Sequence, residues 1–250
     1  MHLVSRTDIG NIRLVNEDRA VVRHVPGGWS VAVVADGMGG QQAGDVASQM
    51  AVDIIQRELQ RLSPELAADD CAEELRRAIE VANENIYEFA LGRENYHGMG
   101  TTVVSAVANG QTAIIGHIGD SRAYLISDAG MEQLTEDHSL VNELVKNGHI
   151  TPEEAAHHPR RNVIIRALGT DPTVEVDLRL VPWKAGNLLL LCSDGLHGLV
   201  DDDSILEVVR GEPDLDRMAL RLIHSALDAG GDDNVTVVLI KNGAEGGDRG

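Results

Sequence analysis

The chain is poor in cysteine. Cys71 and Cys192 are the only two among 250 residues, and they have no short paired spacing. Disulfide frameworks and thiolate zinc sites need several cysteines at short, repeated spacings. The sequence therefore excludes both kinds of site, and it suits a reducing compartment such as the cytoplasm.

Positive charge and long apolar runs are also scarce. Lys and Arg number 21 against 40 Asp and Glu, so the formal net charge is −19. A chain without an overall positive field does not attract a phosphate backbone, which argues against a nucleic-acid partner. No run approaches the roughly 18 apolar residues that a membrane helix needs, and the N-terminus has no apolar signal core. We expect a soluble, unexported protein with neither a membrane nor a nucleic-acid partner.

Against this background, one pattern recurs: apolar runs typical of buried strands stop at, or start from, an aspartate in a turn-prone setting. The four aspartates are Asp36, Asp120, Asp194 and Asp233. A single aspartate of this kind is usually a turn former or a helix cap. Four beside strongly apolar strands favour a site, because converging carboxylates repel one another unless cations lie between them. Hard divalent metals prefer such oxygen ligands, so the pattern predicts a multi-carboxylate metal site.

Amphipathic helices alternate with the apolar strands. One-face apolar spacing predicts helices over 43–62 and 71–91, joined by a turn at Ser63-Pro64. Asn109-Gly110 predicts a hairpin between strands at 101–108 and 112–118. The interpretation is a set of antiparallel sheets covered by helices, for which these patterns alone do not fix the number of layers.

The domain prediction places a single catalytic domain at residues 1–241. Within it, the polar stretch at about 145–165 is interpreted as a flap. Residues 242–250, rich in glycine and charge, are predicted to be a disordered tail.

Three motifs suggest other chemistry and are set aside. The segment 71–77 has the C-x5-R spacing of cysteine phosphatases, but it is acidic and helical, whereas a phosphate cradle needs glycine-rich backbone amides. The turn at 36–40 fails as a dinucleotide fingerprint, because the third glycine would fall on Gln42. His157 and His158 are adjacent and cannot share a helix face, so exposed flap residues are a better interpretation than zinc ligands.

The motifs, in order, resemble those of the metal-dependent type 2C serine/threonine phosphatases, especially the compact bacterial members. The resemblance covers about residues 5–240 and is carried by Arg13, Asn16-Glu17-Asp18, Asp36-Gly37-Met38-Gly39-Gly40, Gly100-Thr101-Thr102, Gly119-Asp120-Ser121-Arg122, Ala167-Leu168-Gly169, Ser193-Asp194-Gly195 and Asp232-Asp233-Asn234. It implies an α+β fold: a four-layer α-β-β-α sandwich of two central, mostly antiparallel sheets flanked by helix pairs. It also implies two Mn²⁺ or Mg²⁺ ions in a cleft at one end, with a weaker third ion possible.

The resemblance also implies roles for individual residues. Asp36 is expected to bridge the two ions, Asp194 and Asp233 to hold the first ion, and the carbonyl of Gly37 to hold the second. Asp120, together with Asp194, matches the pair that binds the weaker third ion.

Four more residues are assigned in the same way. Arg13 matches the arginine that binds the substrate phosphate, and Glu17 and Asp18 fall where the family places ligands or supporting acids around the second ion. Asn234 is expected to lie beside the ligands and support them.

The chain departs from the family pattern at two places. Met38 stands where many eukaryotic members have the histidine proposed as proton donor, so the general acid is unassigned; a metal-bound water, His157 or His158 could serve. Ala156 and the residues after it offer no serine where some bacterial relatives use a flap serine to hold the third ion.

The implied activity is hydrolysis of phosphoserine and phosphothreonine in proteins by a metal-activated water, which reverses Ser/Thr kinase signalling. Phosphorylated proteins and a cognate Ser/Thr kinase pathway are the expected partners, and a monomer is the expected state. Two alternatives stay open: a catalytically weak pseudophosphatase that binds phosphoproteins, and a phosphatase of small metabolites. The flap arginines Arg160, Arg161 and Arg166 weakly favour a protein surface as substrate.

Overall fold

We describe a computed structural model over residues 1–39, 43–63 and 65–243. Predictions that involved Gly40, Pro64 or the tail beyond residue 243 fall outside this range. The strands are β1 (His2–Asp8), β2 (Asp18–His24), β3 (Ser30–Met38), β4 (Gly100–Thr101), β5 (Val103–Ala108), β6 (Thr112–Ile118), β7 (Arg122–Ser127), β8 (Gly130–Gln133), β9 (Asp177–Pro182), β10 (Leu188–Cys192) and β11 (Val235–Lys241). The α-helices are α1 (Ala43–Leu59), α2 (Ala68–Ala90), α3 (Leu140–Lys146), α4 (Pro152–Ala156), α5 (Asp194–His197), α6 (Asp202–Gly211) and α7 (Leu215–Asp228).

Two antiparallel sheets form the centre of the molecule. The first has the order β1-β11-β10-β7-β8, and the second has the order β2-β3-β5-β6-β9, with the short β4 paired to β3. Helices α1 and α2 cover the outer face of the second sheet, and α6 and α7 cover the first. A third apolar layer, rich in Ala, Val, Leu and Ile, lies between the sheets. The predicted four-layer α-β-β-α arrangement is confirmed.

The helices lie close to their sheet because small residues remove steric obstacles. In α1, Ala47 and Ala51 are fully buried against the second sheet. Gly116 in β6 lies under α2, and a Cβ there would be 2.8 Å from Cδ1 of Ile79. A larger residue at this position would push the helix away from the sheet, since a packed core has no spare volume.

The elements missed by the sequence patterns are short or lie at sheet edges. β1 is an edge strand in which only Val4 is buried, and β9 is an edge strand in which only Val181 is buried. Both carry charged side chains, as edge strands commonly do, so neither shows the apolar run by which the central strands were predicted.

The hairpin of β5 and β6 is confirmed, but its turn is made differently from the predicted one. The amide of Asn109 donates to the carbonyl of Thr112, so Gly110 and Gln111 are the central residues. The Asn109 side chain accepts hydrogen bonds from the amides of residues 111 and 112, both at 2.9 Å. Residues 110 and 111, rather than 109 and 110, therefore form the turn, which Asn109 closes as an Asx turn.

The flap begins at α3, earlier in the chain than the predicted start near residue 145. Ser139 pairs with Ile164 in an isolated bridge, and the Leu140 amide donates to the carbonyl of Val163 at 2.8 Å. Between these contacts, α3 and α4 have no fully buried residue, and a capping box at Thr151 starts α4. The excursion is thus closed at its base and exposed elsewhere.

The prediction of a disordered tail over residues 242–250 is wrong for its first residue, Asn242. Asn242 is 2% exposed, and its backbone exchanges hydrogen bonds with Gly186 and Asn187 at 2.8 and 2.9 Å. It therefore belongs to the packed part of the chain. None of the helices in the described residues has the length and apolar character needed to cross a bilayer.

The layer between the sheets should dominate stability. Leu189 is fully buried in that layer, so Leu189→Ala is expected to lower the free energy of unfolding by about 2–5 kcal/mol. The matched control is Leu180→Ala at a position that is 46% exposed, where a change within about 0.5 kcal/mol is expected. Urea denaturation followed by circular dichroism measures both, and equal losses would contradict the buried position of Leu189.

Candidate metal centre

The two sheets bring aspartates from distant parts of the chain to one end of the sandwich. Asp18, the first residue of β2, lies directly opposite Asp36 in β3. Asp194 follows β10 and Asp233 precedes β11, which pair in the other sheet. Like charges directly opposite in a sheet are destabilising, so this arrangement needs a compensating partner.

Ser193 joins the two sheets at this end. Its hydroxyl donates to Oδ2 of Asp18 at 2.7 Å and accepts from the amide of Thr236 at 3.0 Å, and its amide donates to the carbonyl of Thr236 at 3.1 Å. Asp18 is thereby tied to the β10–β11 pair although 175 residues separate it from Ser193. Asp18 is 1% exposed.

Two threonines fix Asp36 from the opposite side. The carbonyl of Asp36 accepts from the Thr101 hydroxyl at 2.8 Å and from the Thr102 amide at 2.9 Å, and its amide donates to the Thr102 hydroxyl at 3.1 Å. The Thr102 hydroxyl also hydrogen-bonds that of Ser121 at 2.8 Å. The Gly100-Thr101-Thr102 motif therefore holds the backbone of Asp36.

Burial and mutual repulsion strongly raise the pKa values of these acids. Burial raises the pKa of Asp18 to about 7, with further raising by the charges of Asp194 and Asp233. Burial and then the charge of Asp194 raise the pKa of Asp120 to about 7. Burial and then the charge of Asp233 raise the pKa of Asp194 to about 6.

Asp36 stands at the middle of this group. Burial, followed by the charges of Asp18, Asp194, Asp120 and Asp233, holds its pKa well above the ordinary range. Near neutral pH these carboxyls cannot all be ionised without positive charge among them.

The donor set fits hard divalent cations. One carboxylate oxygen on each of Asp18, Asp120 and Asp194 is buried without a hydrogen-bond partner in the described residues. Buried polar atoms are normally paired, and an unpaired carboxylate oxygen is the ligand that Mg²⁺ and Mn²⁺ prefer. The residues present therefore fit a metal centre.

Glu17 and Gly37 lie together on the α1 side of the centre. The amide of Gly37 donates to the carbonyl of Glu17 at 3.2 Å. A Cβ on Gly37 would be 2.1 Å from the carbonyl oxygen of Gly44, and a Cβ on Gly44 would be 2.7 Å from Oε1 of Glu17. Burial raises the pKa of Glu17, and the charge of Arg13 opposes this shift. Glycine at both positions is thus required for α1 to begin beside the carboxylates.

Asp45 also faces Glu17 and was not predicted. Its charge raises the pKa of Glu17, and its Oδ1 is a buried oxygen without a hydrogen-bond partner in the described residues. An acid in the first turn of a helix is ordinarily explained by the helix dipole, so nothing in the sequence separated Asp45 from other helix-start acids.

The turn that carries Asp120 is clamped by His138. Nδ1 of His138 accepts from the amide of Gly119 at 3.0 Å, and the amide of His138 donates to the carbonyl of Gly119 at 2.7 Å. Gly119 has φ +110°, and a Cβ there would be 2.6 Å from Thr102. Nε2 of His197 lies 3.0 Å from the Asp120 carbonyl; burial lowers the pKa of His197 to about 3, so a neutral ring donates this bond. Neither histidine was predicted.

His138 also belongs to a group that could be mistaken for a metal site. His117, His138 and Asp177 have ligand atoms within 4.8 Å of one another, which is true of no other such group in the described residues. However, Nδ1 of His138 accepts from a backbone amide, so the neutral ring carries its proton on Nε2, towards Asp177. The guanidinium of Arg166 lies 3.3 Å from Asp177. Both features disfavour a cation there.

The predicted aspartates are therefore more widely spaced than this histidine group. Within the described residues, no three of these aspartates have ligand atoms that all lie within 4.8 Å of one another. Ligands that are divided between two ions do not need to converge on one point.

Arg13 reaches the centre from the loop before β2, and Asn234, directly before β11, contacts that loop. Nη2 of Arg13 lies 2.6 Å from Oδ2 of Asp233, and their side chains are 48% and 34% exposed. An exposed pair of this kind contributes little stability, so Arg13 can exchange it for another anion. Asn234 accepts from the Glu17 amide at 2.7 Å and donates to the carbonyls of Ile9 and Val15, so its side chain supports the loop that carries Arg13.

A cleft of about 520 Å³ separates Asp120 and Asp194 from the flap. Its flap wall includes Ala156 and Arg161, whereas His157 and His158 are not among its lining residues. Met38 lies in β3 opposite Gly100. The structure therefore does not bring either flap histidine to the aspartates.

Comparison with known proteins agrees with this geometry. The model of the protein phosphatase 2C family matches residues 12–229. The chain belongs to this family. Among relatives of this protein phosphatase 2C member, the serine/threonine phosphatase stp of Listeria monocytogenes is 42% identical over 241 residues, covering 96% of each chain.

Solved structures of the family superpose closely on this chain. A crystal structure of the serine/threonine phosphatase PstP/Ppp of Mycobacterium tuberculosis has a TM-score of 0.89 at 38% identity and covers 97% of this chain and 99% of that chain. A structure of the PstP catalytic domain in complex with two manganese ions has a TM-score of 0.82 at 38% identity, covering 95% and 96% of the two chains.

The raised pKa values predict the pH dependence of metal-free stability. A carboxyl whose folded pKa lies above its unfolded value contributes stability that is present below about pH 4 and lost as the pH rises to about 7. Protein treated with EDTA should therefore have a lower melting temperature at pH 8 than at pH 5. Asp120→Asn should reduce this difference, and Asp128→Asn, at an exposed turn position, should not. A melting temperature that rises from pH 5 to pH 8 in EDTA would contradict the buried cluster.

Proposed function

We propose that this chain hydrolyses phosphoserine and phosphothreonine in proteins, with Mn²⁺ or Mg²⁺ held by the aspartate centre. The main support is the group of buried, mutually repelling aspartates with unpartnered oxygens at the joined end of two sheets. Membership of the protein phosphatase 2C family supports the reaction class. The names of the relatives support protein substrates, and the PstP complex with two manganese ions supports the metal.

Different residues are suited to hold each of the proposed cations. Asp36 lies beside acids of both sheets, so it is suited to bridge two ions, with Asp194 and Asp233 on the first. The Gly37 carbonyl, Glu17 and Asp18 would hold the second ion, directly or through water. Asp120 and Asp194 both line the flap cleft and suit a weaker third ion. When bound, such ions lower the pKa of water towards 7 and so provide a nucleophile at neutral pH.

The protein's own part of the reaction is to bind and orient the phosphoryl group. Arg13 is half exposed at the mouth of the centre, and its guanidinium can turn from Asp233 to a phosphate with two parallel donors. The loop that carries it is held by Asn234, so its position changes little on binding. The hydrogen bond between Ser193 and Asp18 holds the carboxylates of the two sheets in fixed positions relative to one another.

The proposal also covers the domain organisation, oligomeric state and location of the enzyme, and the source of its substrates. We infer that the packed chain works as one catalytic domain with a flap over the cleft, as a cytoplasmic monomer. A Ser/Thr kinase is required to supply its substrates. The small number of cysteines supports a reducing compartment, and in the structure both are buried free thiols.

Replacing a ligand should abolish turnover and weaken metal binding together. Loss of partners around metal ligands typically costs about 10- to 100-fold, so Asp194→Asn should cost at least about 100-fold in Mn²⁺-dependent phosphate release from a phosphothreonine peptide. Titration calorimetry should show weaker Mn²⁺ binding in the same variant. Asp128→Asn serves as the control, and wild-type turnover in Asp194→Asn would contradict the assignment.

Arg13→Ala should affect substrate binding more than the metal. Since one charged, bidentate contact is lost, KM for the phosphothreonine peptide should rise about tenfold while Mn²⁺ affinity stays within about twofold. Arg13→Lys, which retains charge without the planar fork, should recover only part of the loss. Steady-state kinetics give both constants, and an unchanged KM in Arg13→Ala would argue against phosphate binding by Arg13.

A further inference from the structure

The loop at 9–15 exposes a cluster of large apolar side chains. Leu14 is 94% exposed and Ile12 is 66% exposed, and Ile9 and Val15 are also exposed. Single exposed apolar residues are normal on a protein surface, but a contiguous group marks a contact site. We refer to Ile9, Ile12, Leu14 and Val15 as the apolar rim.

The rim is exposed although its backbone is held firmly. Asn11 in the middle of the loop donates three hydrogen bonds, at 2.7, 2.9 and 2.9 Å, to backbone carbonyls at the end of α7 and in the turn after it. The Asn234 side chain donates to the carbonyls of Ile9 and Val15 at 2.9 and 3.1 Å. A loop fixed at both ends and at its centre has little conformational entropy left to lose when a partner binds.

The rim adjoins the mouth of the metal centre. Ile12 and Leu14 are the neighbours of Arg13, whose guanidinium lies 2.6 Å from the carboxylate of Asp233. A phosphorylated side chain that reaches Arg13 brings its own backbone, and the residues on either side of it, over this loop. The rim is therefore continuous with the proposed substrate site.

Charge does not provide this contact. The chain has a net charge of −19, so its overall field does not attract the negative charge of a phosphorylated segment at long range, and salt screens such charge interactions further. Apolar contact is attractive whatever the sign of the charges.

We propose that the apolar rim docks apolar side chains next to the phosphorylated serine or threonine of a protein substrate. This inference rests on the proposed function, because it names the kind of sequence that the phosphatase site prefers. Ile12 and Leu14, the most exposed members, make the principal contacts, and Arg13 between them receives the phosphate.

The test compares two phosphothreonine peptides on the full chain in Mn²⁺. One peptide has leucine on both sides of the phosphothreonine, and the other has serine. The wild type should prefer the leucine peptide by about tenfold in kcat/KM, mostly through KM, as expected for partial burial of one or two leucine side chains. The double variant Ile12→Ser/Leu14→Ser should lose this preference, whereas Leu180→Ser, at another exposed leucine, should retain it.

Hydrolysis of para-nitrophenyl phosphate separates the possible failures. This substrate has no flanking residues, so its turnover reports the metal centre alone and should stay within about twofold in the double variant. If the wild type and the double variant have the same kcat/KM ratio for the two peptides, and both still cleave para-nitrophenyl phosphate, the rim proposal alone is overturned. No Mn²⁺-dependent cleavage of any substrate by the wild type would overturn the proposed function as well. Light scattering that shows a wild-type dimer and a monomeric double variant, with unchanged peptide kinetics, would instead assign the rim to a second copy of the chain.

Discussion

Repulsion among buried carboxylates is the constraint on which the rest of this structure depends. Asp18 and Asp36 come from one sheet, and Asp194 and Asp233 flank strands of the other. Removing a charge from water costs several kcal/mol even in a relaxed protein, so neither sheet alone would keep such a group together. The apolar layer between the sheets and the helix layers outside them offset that cost. The divalent cations that we propose would convert the repulsion into attraction.

The same constraint explains the small residues and hydroxyls around the centre. Close approach of α1 requires glycine at 37 and 44, and the backbone of Asp36 is held by neighbouring threonines. His138 fixes the turn before Asp120 through both its ring and its backbone. None of these groups needs to contact a substrate, because each places a carboxylate or a carbonyl. A centre built from such contacts is set before any ligand arrives, which is the usual basis of efficient sites.

The sequence was informative where burial leaves a strong pattern. The central strands β3, β10 and β11 are the apolar runs beside the predicted aspartates, and β5, β6, α1 and α2 were predicted with bounds close to the observed ones. The edge strands β1 and β9 were missed because one of their faces meets solvent and carries charge. The flap base was misplaced because Ser139 and Ile164 meet through a long-range bridge that has no local signal. Asp45, His138 and His197 were missed because their importance comes from residues distant in the chain.

The sequence by itself determined which groups are chemically available: aspartates beside apolar runs, an arginine between apolar residues, no thiolate zinc site and a net negative charge. Only the tertiary structure decided which of them meet. Side-chain type and strand pattern depend on local sequence, whereas the contact of Ser193 with Asp18 joins residues 175 positions apart and that of Arg13 with Asp233 joins residues 220 positions apart. Such contacts exist only after both sheets have formed and stacked, because packing of apolar faces, and not attraction among the acids, brings them together.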